Sequence, residues 1–147
     1  MTAHNRDDFR HFFSENVRWG DCDMLGHVNN TLYVRYIESA RVAYTHDVLD
    51  ASLSGNVQSC WILADLHCRF RAQVHFPESL SIGSRIVRVG NSSALMQGNI
   101  FCADNTEPAF TSAATLVWFN MAEQRPERVP DDIRARILDF EGSVEGL

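Results

Sequence analysis

Ile62, Ala64, Leu66, Cys68, Phe70, Ala72, Val74 and Phe76 occupy every second position between residues 62 and 76 without a break. Successive side chains of a strand point to opposite faces, so this run predicts one long β-strand with a face on a core. The opposite face would carry Asp65, His67, Arg69, Arg71, Gln73 and His75, a basic set for a chain of formal net charge −6, and Pro77 would end the strand. A strand of this length needs a sheet around it. Further strands read at residues 12–19, 79–89, 92–102 and 109–120, with Gly90-Asn91 as a tight hairpin turn and residues 104–108 as a loop. Residues 1–11 are polar and expected to be weakly ordered, residues 50–57 read as a loop, and residues 131–140 predict a short helix with Ile133, Ile137 and Leu138 on one side.

A different period governs residues 33–48. Tyr33, Tyr36, Ile37, Ala40, Ala43, Tyr44 and Val48 recur at spacings of three and four, which puts a broad apolar stripe on one face of a helix expected from about Asn30 to about Leu49. Asn29 or Asn30 is the natural N-cap, and no Glu or Gln follows at the position that would complete a capping box. One buried helix and about five antiparallel strands give an α+β fold, in a chain whose 147 residues suit one domain with one core.

Chemistry concentrates where the first strand meets this helix. Gly20-Asp21-Cys22-Asp23 sets two carboxylates two residues apart, and Gly26-His27-Val28-Asn29-Asn30 leads straight into the helix start. Free first-turn amides and the positive end of a helix dipole then lie beside carboxylates and a histidine, an arrangement able to bind an oxyanion next to a base or nucleophile.

The string D-x-D-x-x-G-H-V-N-N, followed by Tyr33, Tyr36, Glu38, Ala40 and Arg41, resembles the hotdog-fold acyl-CoA thioesterases of the 4-hydroxybenzoyl-CoA thioesterase type. The resemblance implies a long central helix wrapped by a curved antiparallel sheet, two subunits joined edge to edge in a homodimer or homotetramer, and hydrolysis of a small-molecule acyl-CoA without a cofactor. It makes Asp23 the catalytic residue and places the oxyanion donor at a backbone N–H near Asn30, leaving Asp21 a structural or supporting residue. His27 is either a satisfied turn histidine or a pocket residue that orients the thioester or Asp23. On the substrate side stand Asn29, which also caps the helix, and Arg69 and Arg71. With His67 or His75, these arginines either meet the phosphates of coenzyme A or form a solvated strand face. Acyl carrier protein thioesters are the competing substrate, and a non-catalytic domain that binds acyl thioesters is the alternative from another class. Trp61, Phe70 and Tyr36 could line an acyl pocket, with core packing as the plainer role.

Other chemistries find less in the residues. The start of an EF-hand loop fails at Leu25 and Leu32, and a metal site would have to use Asp21, Asp23 and His27. No Gly-x-Ser-x-Gly elbow occurs. Negative charge argues against general nucleic-acid binding. Cys22, Cys60, Cys68 and Cys102 form no C-x-x-C pair and read as free thiols. Neither a membrane span nor a secretory apolar stretch is present, so a cytoplasmic protein is expected. Glu38 and Arg41 are spaced for an intrahelical ion pair.

Overall fold

The computed structural model describes residues 5–50 and 57–147; most of the loop expected at residues 50–57 lies outside them. Helix α1 (Asn30–Leu49) starts where Asn29 accepts a hydrogen bond from the Thr31 amide, and it buries Tyr33, Tyr36, Ile37, Ala40, Tyr44 and Val48 of the predicted stripe, while Ala43 is only half-buried, at the edge of the outer face. The buried face packs on one antiparallel sheet ordered β1 (His11–Asn16), β3 (Ser79–Val89), β4 (Ser93–Cys102), β5 (Phe110–Asn120) and β2 (Ser59–Phe70). A two-residue strand β6 (Arg125–Pro126) extends β5 beyond the reach of β4. Helix α2 (Asp131–Glu141) closes one end of the core with Ile133 and Ile137; Leu138, expected beside them, is exposed. A long helix held in a curled antiparallel sheet is the hotdog arrangement. No helix among the described residues is long and apolar enough to cross a membrane.

Strand β2 departs from the sequence expectation in two ways. Its register with β5 shifts between Leu63 and Asp65, so Trp61 and Leu63 lie opposite Trp118 and Leu116, whereas Leu66, Cys68 and Phe70 lie opposite Ala114, Ser112 and Phe110. Directly paired residues share a face, and these β5 partners are buried. The core-facing set is therefore odd-numbered before Ala64 and even-numbered after it, a β-bulge that the unbroken alternation conceals. Trp61 and Trp118 meet edge to face at 5.2 Å. The strand also stops at Phe70 rather than Phe76, because the amides of Arg71 and Ala72 both turn to the Ala109 carbonyl. Val74, buried beyond the strand's end, joins the site instead.

The N-terminal residues are more ordered than their polarity suggests. Arg6–Asp8 form a 3-10 turn, and the Arg6 guanidinium donates to the Ala103 carbonyl at 3.0 Å and to Ser81 Oγ at 2.9 Å. Phe9 is buried against Gly83, where an added Cβ would meet the ring at 2.6 Å. The first strand ends at Asn16, and Val17 through Cys22 fold into the approach to the site.

Candidate active site

Trp19–Asp21 form a 3-10 turn, after which Cys22 and Val28 pair across an isolated antiparallel bridge. Within the bridged loop the Asp23 amide donates to the His27 carbonyl at 3.1 Å, and the Gly26 amide donates to the Asp23 carbonyl at 3.1 Å. Gly26 sits at φ +85°, which a side chain would oppose. The loop is tied down from outside as well. Val28 donates to the Val74 carbonyl at 2.8 Å, the Val74 amide donates to Tyr33 Oη at 3.3 Å, and His75 Nδ1 donates to the Gly26 carbonyl at 3.1 Å.

The two carboxylates part company, because the 3-10 turn at Trp19–Asp21 interrupts the extended backbone that would set residues two apart on one face. Asp21 is 7% exposed, and its Oδ2 accepts from Tyr36 Oη at 2.5 Å and from the Arg18 amide at 3.0 Å. Burial and the Asp21 carboxylate push the Tyr36 phenol far above its ordinary value, so the hydroxyl stays protonated and donates. Asp23 is half-buried on the outer side, with Oδ1 accepting from the Leu25 amide at 2.9 Å. That bond belongs to an Asx turn, so one carboxylate oxygen supports the loop while the other has no protein donor among the described residues.

At the helix start, Asn29 Oδ1 takes the Thr31 amide at 3.0 Å and the Thr31 hydroxyl at 2.8 Å, and the Asn29 carbonyl takes the Leu32 amide at 3.0 Å. The Asn30 amide, at the positive end of a 20-residue helix, has no acceptor among the described residues. It is free to receive an oxyanion.

The loop borders two clefts. Asp23 lines one of about 460 Å³ with Trp19, Gly20, Cys22, Gly26 and Phe76. His27 and Asn30 line another of about 220 Å³ with Tyr33, Phe70 and Arg71. His27 meets His75 edge-on at 6.1 Å. Arg71 also borders a polar cleft shared with Glu78, Cys102 and Asn105, whereas Arg69 lines none of these and lies exposed on β2. A larger cleft of about 560 Å³ on the outer face of α1 shares no residue with the loop; its carboxylates, Glu38 and Asp47, lie along the body of the helix, away from the first-turn amides.

Two sequence expectations are replaced. Glu38 pairs with Arg35 at 2.6 Å rather than with Arg41, whose guanidinium is lowered by burial. Tyr36 and Trp61 belong to the core rather than to a pocket, while Phe70 does border the His27 cleft. Sequence reading missed the part Tyr36 plays; the available signal was a tyrosine, with its hydroxyl, on a helix face otherwise suited to phenylalanine. Trp19 and Phe76 were also missed as walls of the Asp23 cleft. Among the described residues no group of three His, Cys, Asp or Glu side chains is placed to hold a metal ion, and the Asp21 carboxylate is taken up by Tyr36.

The profile of the thioesterase-like superfamily matches residues 17–137. The YsmA protein of Bacillus subtilis (strain 168) is 31% identical over 114 residues, covering 76% of this chain and 74% of that protein. A chloroplast acyl-acyl carrier protein thioesterase of Arabidopsis thaliana, ATL2, is 26% identical, with 89% of this chain and 70% of the relative covered. Among solved structures, a thioesterase of Thermus thermophilus complexed with coenzyme A and zinc aligns with a TM-score of 0.79 at 29% identity, covering 92% of this chain and 97% of that one.

Proposed function

Because this chain belongs to the thioesterase-like superfamily, whose chemistry is thioester hydrolysis, we propose that it cleaves acyl-CoA, with Asp23 as the catalytic carboxylate and the Asn30 amide as the oxyanion donor. The observation that carries this is the pairing, on one anchored loop, of a half-buried carboxylate with a helix-start amide that has no protein acceptor. Asp23 acts in one of two ways. As a nucleophile it attacks the thioester carbon, the C–S bond breaks, CoA leaves as a thiolate that takes a proton, and water then hydrolyses the mixed anhydride. As a general base it removes a proton from the water that attacks. In both, negative charge develops on the carbonyl oxygen, and a preorganised amide there is typically worth about 3 kcal/mol.

His27, in the cleft with Asn30, orients the thioester, and Arg71 at the cleft's edge meets a phosphate of the CoA nucleotide. The coenzyme A complex of the Thermus thermophilus relative supports a CoA ester, and the Arabidopsis thaliana relative supports acyl carrier protein as the competing carrier. The resemblance to 4-hydroxybenzoyl-CoA thioesterases makes aromatic acyl groups the first to try.

The free edge of β2 fits a second copy of the chain. This strand is 12 residues long, ends the sheet and has no fully buried residue, and an uncovered edge of that length invites pairing. Light scattering should give at least twice the mass of one chain.

The deciding experiment is thiol release from a panel of acyl-CoAs, aliphatic from short to long plus benzoyl and phenylacetyl esters, by wild type and Asp23→Asn. Turnover that falls by about 100- to 10,000-fold in a folded Asp23→Asn protein is the expected result. Turnover of acyl carrier protein thioesters with none of CoA esters would favour the competing substrate. Undiminished activity in Asp23→Asn would remove this residue from the mechanism.

A further inference from the structure

We infer that Asp21 and Tyr36 are a positioning pair that fixes the Asp23 carboxylate and the Asn30 amide in one geometry; the inference rests on the catalytic reading of that loop. Asp21 is a buried carboxylate, and none of the ion pairs among the described residues includes it. Burying a carboxylate is costly unless donors surround it. Here one oxygen, Oδ2, collects both the Tyr36 hydroxyl and the Arg18 amide, and the short Tyr36 contact is of the charge-assisted kind. The backbone carbonyl of the same residue accepts the Asn29 amide at 2.9 Å. Asp21 thus joins the 3-10 turn before the loop, the body of α1 and the cap of α1.

Both reacting groups hang from this junction. Asp23 follows Asp21 by two residues, and Asn30 follows the Asn29 whose amide Asp21 holds. Neither Asp21 nor Tyr36 lines the Asp23 cleft or the His27 cleft, so the pair acts through the residues it places and not by touching substrate. Phenylalanine at position 36 would fill the same space in the core; the hydroxyl is what the loop uses. Loss of the pair should therefore lower kcat and spare KM, since displacement of reacting groups by an ångström is enough for about a 100-fold loss.

Three variants and two readouts test this. Tyr36→Phe should lower kcat about tenfold with KM within about twofold, and Asp21→Ala about 100-fold. Asp21→Asn keeps an oxygen where Oδ2 lies and should restore most of the kcat lost in Asp21→Ala. Hydrogen exchange, measured without substrate on folded protein, should speed up at the amides of residues 18–30 in Tyr36→Phe and Asp21→Ala but not in Asp21→Asn. Wild-type kcat in Tyr36→Phe overturns the proposal, as does an Asp21→Asn kcat no better than that of Asp21→Ala. Full activity in Asp23→Asn would instead sink the catalytic reading of the loop. Failure of the pair alone looks different: Asp23→Asn inactive, with wild-type kcat and exchange in Tyr36→Phe.

Discussion

The two ends of α1 use the same chemical device for different purposes. At the N-terminal end Tyr36 donates to Asp21 at 2.5 Å, and at the C-terminal end Tyr44 donates to Glu141 at 2.6 Å. Both phenols are buried and both are pushed far up, mainly by burial. What surrounds the carboxylate differs. Glu141 ends α2, also accepts the Ile86 amide at 3.1 Å, and is enclosed where Ile137, Val144 and Val48 pack together. Asp21 belongs to a segment that enters at Trp19, which is 80% exposed, and leads on to a carboxylate oxygen and an amide with no hydrogen-bond partner among the described residues. A buried tyrosine–carboxylate bond is thus no mark of a site in itself. It becomes one where the next residues are left unsatisfied and accessible.

The largest effect that sharpens this contrast comes from Glu141→Ala. It leaves the Tyr44 hydroxyl and the Ile86 amide without their shared acceptor, and urea unfolding should show a loss of about 3 kcal/mol. In the same protein kcat should stay at the wild-type value, the opposite of Asp21→Ala. A fall in kcat would mean that the sealed end of the helix also governs the site. Asn29→Ala should cost about 1 kcal/mol through the lost cap, and its kcat should fall as well because the cap orients the Asn30 amide. A cap that mattered only to folding would leave kcat untouched.

The smallest effect lies at the closed end and depends on pH. His46 and His11 hydrogen-bond the exposed Asp47 carboxyl and hold it below its ordinary value. A carboxyl lowered on folding contributes stability above its unfolded value, near pH 4, and loses it as pH falls through the folded value. Asp47→Asn should therefore show a small deficit in Tm at pH 7 that closes in more acidic buffer. Thermal scans across that range check the sign, and a deficit that widened on acidification would contradict it.

Much of this was legible in the residues. Helix α1 keeps the predicted bounds, and β3, β4 and β5 fall within a residue of theirs, because stripes, caps and turns are set by near neighbours. The Asp23 loop and its place before the helix could be read from D-x-D-x-x-G-H-V-N-N for the same reason, and Asn29 shows its capping role in its own side chain.

Elsewhere distant partners decided. Trp61, Ile62, Leu63 and Ala64 are all apolar or small, so the local sequence allows either face to be inward; pairing with Trp118 and Leu116 chose the odd positions, and the bulge reversed the choice. Val74 left its strand for bonds to Val28 and Tyr33, and Phe9 became ordered because Gly83 leaves room for its ring. The sequence by itself determined which segments are helix or strand and where the loop from Asp21 to Asn30 lies, since those follow from periodicity and capping within a few residues. Only the tertiary structure decided which carboxylate is buried and which faces a cleft, because a buried charge can persist only where the fold brings it donors, and the Tyr36 hydroxyl reaches Asp21 from the body of the helix.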